Sequence, residues 1–286
     1  MANAVDRARI AGLASAAAAQ LPNEYDAKCA AAFFDVDNTI MRGSSLFHVA
    51  IGMARRNFFT PREVAAFGMA QARFILRGTE NPDDMALATE SALAFAKGRK
   101  VDEIVAFGQE IFDDSMVNKL VPGTLALAQE HLDAGRQVWL VTATPIELAQ
   151  VIARRLGLTG ALGTVSEVED GRYTGHLVGA PLHGQAKAEA VRALAEREGL
   201  DLKECWAYSD STNDIPMLST VGQPVCVNPD PKLRAYAEKQ SWPIEDFRAR
   251  AHLRKVASPA TIAAAGGLAA GLAVGLFAGR VRKPGA

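Results

Sequence analysis

Cysteine is scarce in this chain, and its arrangement excludes two classes of site. The three cysteines, Cys29, Cys205 and Cys226, show no metal-ligand spacing. An odd, scattered set of this kind reads as reduced core thiols of a cytosolic domain rather than a disulfide framework. Net charge is also nearly absent, at −1, so nothing global attracts nucleic acid and no such partner is expected. No internal repeat is present. Residues 1–21 are alanine-rich and carry Asp6. They lack the basic start and long apolar run of a signal peptide, and read as a helix or a disordered arm. Strand patterns are missing over roughly a hundred residues between Asp37 and Thr142, where the periodicity is helical throughout. What the chain does have is length and apolar content: 286 residues, 49% hydrophobic. That is enough for a sizeable core in one large or two small domains.

Two carboxylates mark the most informative stretch. The apolar run Ala30 to Phe34 reads as a short buried strand and leads directly into Asp35-Val36-Asp37-Asn38-Thr39. Side chains alternate along an extended chain, so Asp-x-Asp aims both carboxylates one way at the strand's carboxyl end. Open α/β sheets place their sites at that end. Like charges so close need a cation, a shared proton or a lysine nearby. Three further segments follow in order. Gln137 to Thr142 is a second buried strand ending in a hydroxyl, continued by Ala143-Thr144-Pro145 and a helical run. Lys187 lies in the first turn or so of an amphipathic helix whose apolar face includes Val191, Leu194 and Ala195. Cys205 to Ser209 is a third strand, ending in Asp210-Ser211-Thr212-Asn213-Asp214.

With these four segments the chain strongly resembles the haloacid dehalogenase superfamily of aspartate-based phosphatases, within the branch containing phosphoserine phosphatase. The resemblance spans roughly residues 30 to 230. It implies an α/β fold: a Rossmann-like parallel-sheet core with a helical cap inserted after the first strand. It also implies that Asp35 is the nucleophile that forms an aspartyl-phosphate. Asp37 would be the acid for the leaving alcohol and then the base for water. Thr142, followed by Ala143, and Lys187 would bind phosphate, with Asn213 contacting phosphate or substrate. The residues themselves suit Mg²⁺, because the donors are hard oxygens in excess over one lysine; histidine or thiolate, which would suit zinc, is missing from the motifs. The implied metal set is Asp35, Asp37 through its carbonyl, Asp210, and Asp214 as ligand or outer partner.

The expected organisation is an arm over 1–21, a first core portion over 22–47, a helical cap over 48–118, the remaining core over 119–245, and a tail over 246–286. Cap helices are expected at Ala50 to Arg56, Pro61 to Arg77, Asp83 to Lys97 and Asp102 to Asp114. A hairpin is expected from Thr164 to Glu169 and Tyr173 to Val178, turning at Asp170-Gly171. One departure bears on substrate. Phosphoserine phosphatases carry a glutamate seven residues after the second motif aspartate, and here that position is Ser44. No clear match to their cap arginine segment is present. Both departures argue against free phosphoserine, and Arg42, Ser44, Ser45 and His48 are candidates to contact a different leaving group.

The tail suggests a membrane. Ala257 to Gly279 contains no charged residue; as a helix it reaches about 34 Å, enough for a hydrocarbon core of about 30 Å. Gly267, Gly271, Gly275 and Gly279 form a stripe suited to helix packing and a homodimer. Arg248, Arg250, Arg254 and Lys255 precede it, and Arg280, Arg282 and Lys283 follow. A flexible tail, or a helix packed on its own domain, remains open. Site and tail together lead to the expectation of a Mg²⁺-dependent phosphatase. Its catalytic domain would be cytoplasmic, held at the inner face of the membrane and acting on a lipid phosphate of lysophosphatidate or phosphatidylglycerophosphate type. The alternatives are a soluble small-molecule phosphatase, such as phosphoserine phosphatase, and a non-catalytic membrane-bound dimerising scaffold.

Overall fold

Short apolar runs form the strands at the centre of the protein. The computed structural model describes residues 3–20, 30–55, 93, 94 and 96–248. Strand β1 (Ala31–Phe34) is buried at every position, and so is β2 (Gln137–Pro145) as far as Thr142. Such unbroken burial is what a parallel sheet covered on both faces demands. With β3 (Gly160–Thr164), β6 (Trp206–Ser209), β7 (Gln223–Val227) and β8 (Ile244–Glu245) they make one six-stranded sheet, ordered β3-β2-β1-β6-β7-β8. Every pairing in it is parallel. The chain leaves β1 toward β2 and β3 on one side and returns to β6 on the other. The carboxyl end of β1 is therefore the topological switch point, where open α/β sheets form their crevice.

Helices cover the sheet. Helix α1 (Ala4–Ala18) starts at a reciprocal capping box between Asn3 and Asp6. It buries Ala8, Ala11, Gly12, Ser15 and Ala16. The small face is required: a Cβ on Gly12 would lie 2.6 Å from the Glu189 Cβ on α6 (Gln185–Glu198). The N-terminal segment is thus a helix built into the hydrophobic core with α6 and β3. Between β1 and β2 lie α2 (Ser45–Arg55), α3 (Val101–Ile111), a π-helical turn (Phe112–Met116) and α4 (Pro122–Asp133). Helix α5 (Ile146–Arg155) follows β2, and α7 (Ile215–Leu218) and α8 (Pro231–Gln240) follow β6 and β7.

The expected cap helices at 61–77 and 83–97 fall largely or wholly outside the described residues. So does the C-terminal apolar segment with its glycine stripe. The hairpin turns where the sequence places it. It pairs β4 (Ser166–Glu169) with β5 (Arg172–Leu177), and Asp170 and Gly171 have φ of 49° and 72°, as a tight two-residue hairpin turn needs. Its outer strand also ties down the stretch of the insertion that leads into α3. The Gly98 and Val101 amides donate to the carbonyls of Tyr173 and Gly171, and the Tyr173 amide donates to Arg99.

Beneath the sheet's functional end, His131 lies buried against Tyr208, Trp206 and Phe34. Arg136 Nε donates to its Nδ1 at 2.8 Å, so Nε2 carries the proton and donates to the Tyr208 hydroxyl, also at 2.8 Å. Burial, with the Arg136 charge adding, pushes His131 down from 6.5 to about 4. A depressed histidine binds fewer protons folded than unfolded, so stability is complete above pH 6.5 and falls as pH drops toward 4. Urea unfolding should show a loss of about 2 kcal/mol between pH 7 and pH 5 from this group, and His131→Gln should flatten that slope.

Candidate active site

The three inner strands deliver the motif residues to the switch point. Asp35 follows β1 directly; its amide makes the last rung to β6, donating to the Tyr208 carbonyl at 2.9 Å. The residue is 4% exposed. Lys187, in the first turn of α6 and equally buried, donates from Nζ to Asp35 Oδ1 at 2.6 Å and to Asp214 Oδ2 at 2.8 Å. Asp214 ends the 3₁₀ turn Thr212–Asp214, and its Oδ2 also accepts from the Ser209 hydroxyl at 2.7 Å. Its other oxygen, Oδ1, is buried with no hydrogen-bond partner.

The loop after β1 turns tightly. Ile40 and Met41 amides both donate to the Val36 carbonyl at 3.0 Å. Asn38 adopts φ 58°, a left-handed conformation that asparagine tolerates better than most residues. Its side chain accepts from the Gly43 amide at 2.9 Å. This turn presents the half-buried Asp37 to the start of α2, where Asp37 Oδ1 accepts the Ser45 amide at 2.9 Å and the Ser45 hydroxyl at 2.5 Å. A carboxylate at a helix N-terminus is favourably placed. Ser44 also turns its side chain toward Asp37.

On the other flank, β2 runs in register with β3 up to Val141 and slips before Pro145. The slip frees Thr142, Ala143 and Thr144 from the ladder. Thr142 donates its hydroxyl to Thr144 Oγ1 at 3.0 Å, and the Ala143 carbonyl accepts from the Thr164 hydroxyl at 2.6 Å. Gly163 permits the approach, since a Cβ there would sit 2.8 Å from the Thr144 carbonyl oxygen. Asp210 follows β6; it accepts from Thr39 at 3.4 Å. Asn213 lies one residue before Asp214, its amide bonded to the Ser211 hydroxyl at 3.2 Å.

Asp35, Asp214 and Lys187 are therefore in direct contact, while Asp37, Thr142 and Thr144 form an adjoining hydroxyl-linked group. Sequence reasoning missed two supports. Ser209 orients Asp214. Asp230 holds the 210–214 loop, accepting the Thr212 amide at 2.7 Å and donating its own amide to the Asp210 carbonyl at 2.8 Å. The signal for Asp230 was present, since Asp followed by Pro231 marks a helix start.

Electrostatically the cluster lacks positive charge. Burial pushes Asp35 up from 3.8 to about 7, against the pull of Lys187 and with Asp214 and Asp37 repelling it. Burial, then Asp35 and Asp214, raise Asp210 well above its ordinary value. Burial likewise raises Asp37, while its bonds to Ser45 favour the ionised form. Burial disfavours the Lys187 charge, but Asp214 and Asp35 outweigh it and hold the ammonium well above its ordinary range. A divalent cation fits such a deficit, and the oxygen-only donors suit Mg²⁺. Among the described residues no three His, Cys, Asp or Glu side chains group as a closed metal site.

Removing the ammonium should expose the carboxylates' mutual repulsion. Lys187→Met is expected to cost about 3–5 kcal/mol at neutral pH. Asp35, already pushed up by burial, would lose the pull of Lys187 and rise further above its unfolded value, so the variant's stability is retained at low pH and lost as pH rises. Chemical denaturation of wild type and variant at pH 5 and pH 8 should show the larger gap at pH 8.

Comparison with known proteins gives the family. The profile of the haloacid dehalogenase-like hydrolase family matches residues 32–219. The chain is 57% identical over 246 residues to a Mycobacterium tuberculosis protein named phosphoserine phosphatase SerB1, covering 85% of this chain and 80% of that one. A crystal structure of a protein of unknown function from Bordetella pertussis Tohama I superposes with a TM-score of 0.66 at 30% identity, over 76% of this chain and 98% of that chain. A substrate-bound phosphoserine phosphatase at 21% identity shares the fold, with a TM-score of 0.53 over 79% and 97% of the two chains. These findings correct the membrane location expected from the tail. No helix among the described residues is long and apolar enough to cross a membrane, and the relative at 57% identity is named for a phosphoserine phosphatase. Residues 257–279, on which the lipid substrate rested, lie outside the described residues. Fold, site order and the family match converge: the chain belongs to the haloacid dehalogenase-like hydrolases and is a phosphoric monoester hydrolase of that family.

Proposed function

We propose that this phosphatase acts on a small phosphomonoester, with phosphoserine the first substrate to test, through an aspartyl-phosphate on Asp35. The observation that carries the reading is the Lys187 clamp on Asp35 Oδ1 at 2.6 Å, with Asp37 two residues on. The clamp leaves Asp35 Oδ2 to attack phosphorus as the ester P–O bond breaks. Asp37 passes a proton to the departing alkoxide. It then takes a proton from water, the hydroxide attacks phosphorus, and the bond to Asp35 breaks to release inorganic phosphate. Asp35 reacts as the carboxylate, so its upward displacement to about 7 has to be offset by positive charge. Asp35, the Asp37 carbonyl and Asp210 would hold Mg²⁺, with Asp214 as ligand or outer partner through its unpartnered Oδ1. When bound, the cation neutralises charge on the carboxylates and phosphoryl oxygens.

The similarity to a protein named phosphoserine phosphatase supports a small amino-acid phosphate. Ser44 stands where the resemblance places a glutamate for the amino group, and here its side chain is turned to Asp37. Recognition of the amino group, if phosphoserine is the substrate, then has to come from other residues. Phosphate release from full-length protein with Mg²⁺ should be measured across phosphoserine, phosphothreonine, glycerol phosphate and p-nitrophenyl phosphate. Phosphoserine is expected to give the highest kcat/KM, and a clear preference for glycerol phosphate would overturn that assignment. Asp35→Asn should abolish turnover while the thermal melt stays within a few degrees; retained turnover would remove Asp35 from the nucleophile role.

A further inference from the structure

Three buried hydroxyls form a chain that ends on Asp37. Ser45 is 0% exposed, Thr144 1% and Thr142 2%. Ser45 Oγ lies 2.5 Å from Asp37 Oδ1 and 2.5 Å from Thr144 Oγ1, which lies 3.0 Å from Thr142 Oγ1. Each hydroxyl has one proton, and an ionised carboxylate only accepts. Ser45 therefore gives its proton to Asp37, Thr144 gives its proton to Ser45, and Thr142 gives its proton to Thr144. The direction of the chain is fixed by the carboxylate at its end. The Thr144 amide, donating to Thr142 Oγ1 at 3.2 Å, holds the far end in place. The chain also crosses elements: Asp37 belongs to the loop after β1, Ser45 to the first turn of α2, and both threonines to the irregular end of β2.

Resting on Asp37 as the acid and base of the proposed reaction, we propose that Ser45 and Thr144 are positioning residues for its carboxylate. Two donors from Ser45, amide and hydroxyl, take Oδ1, so the proton moves on and off Oδ2. Thr144 acts one step further back. By donating to Ser45 it leaves the Ser45 proton a single acceptor, which fixes the hydroxyl rotor and through it the carboxylate plane. Neither residue touches the reacting atoms. Their contribution is to hold Oδ2 where the leaving oxygen departs, and proton transfer is sensitive to such placement.

Leaving-group chemistry separates this role from a structural one. An alkoxide leaves poorly without a proton, whereas p-nitrophenolate leaves without one. The decisive quantity is therefore the ratio of kcat/KM for the best alkyl ester of the panel to that for p-nitrophenyl phosphate, measured on one preparation so that any unfolded fraction cancels. Ser45→Ala should lower this ratio about tenfold to a hundredfold, within the range general acid catalysis contributes. Thr144→Val should lower it less, and the double variant should be no worse than Ser45→Ala alone, because both act through one bond to Asp37. Ser45→Thr and Thr144→Ser, which keep the hydroxyls, should restore the ratio. An unchanged ratio in both Ser45→Ala and Thr144→Val, with Asp37→Asn still lowering it, would overturn this inference and leave the phosphatase reading intact. If Asp37→Asn also left the ratio unchanged, the assignment of Asp37 as the acid would fail, and this inference with it.

Discussion

Lys187 brings one positive charge into a pocket where Asp35 and Asp214 stand on either side, and the rest of the site is arranged around that contact. A buried ammonium or carboxylate alone costs several kcal/mol of desolvation, which only close pairing with further hydrogen bonds repays. Here the pairing is close on both sides, at 2.6 and 2.8 Å. Ser209 adds a third bond on Asp214. The constraint reaches outward in sequence, because Asp35, Lys187 and Asp214 come from the end of β1, the start of α6 and the turn after β6. Helix α1, with its row of small residues, lets α6 lie close and so keeps Lys187 within reach. The glycine and alanine content of the N-terminal segment thus bears on the placement of Lys187 against Asp35.

The excess of negative charge makes the site selective for its own chemistry. Lys187 is already engaged by two carboxylates, so an incoming phosphate dianion meets a cluster that needs a cation more than another anion. Burial, with the neighbouring carboxylates repelling, raises Asp35 and Asp210 together. One cation, if bound there, would answer both demands by offsetting the charge of the carboxylates and of the phosphoryl group.

Much of this was legible in the chain because the motifs are local. Ala31–Phe34 and Trp206–Ser209 are short apolar runs ending in Asp, and both became strands with their carboxylates at the carboxyl end. The Asp170-Gly171 turn was legible for the same reason, since its chemistry needs only two residues. Strand β3 was not: Gly160, Ala161 and Gly163 have weak strand preference, and they form a strand because β2 lies beside them and Gly163 must pass the Thr144 carbonyl. The bond between Ser45 and Thr144 joins positions 99 apart, and no periodicity encodes a contact at that separation. Ser209 and Asp230 escaped similarly, as residues whose role lies in what they hold. The tail misled because an uncharged helix-length stretch is compatible with several environments, and composition alone does not choose among them.

Both junctions between the core and the segment inserted after β1 are secured by main-chain groups. At the outgoing junction the Ser45 amide at the start of α2 is tied to Asp37; at the returning one, the Arg42 and Val121 amides donate to the carbonyls of Lys119 and Ile40, both at 2.8 Å. Main-chain fastening is largely indifferent to the identity of the side chains beyond it. The insertion can therefore be shortened, lengthened or exchanged during evolution, or in the laboratory, while Asp37 remains registered to Asp35. In such an architecture the range of accepted alcohols drifts independently of the reaction, and related chains with nearly superimposable cores can diverge in what they hydrolyse.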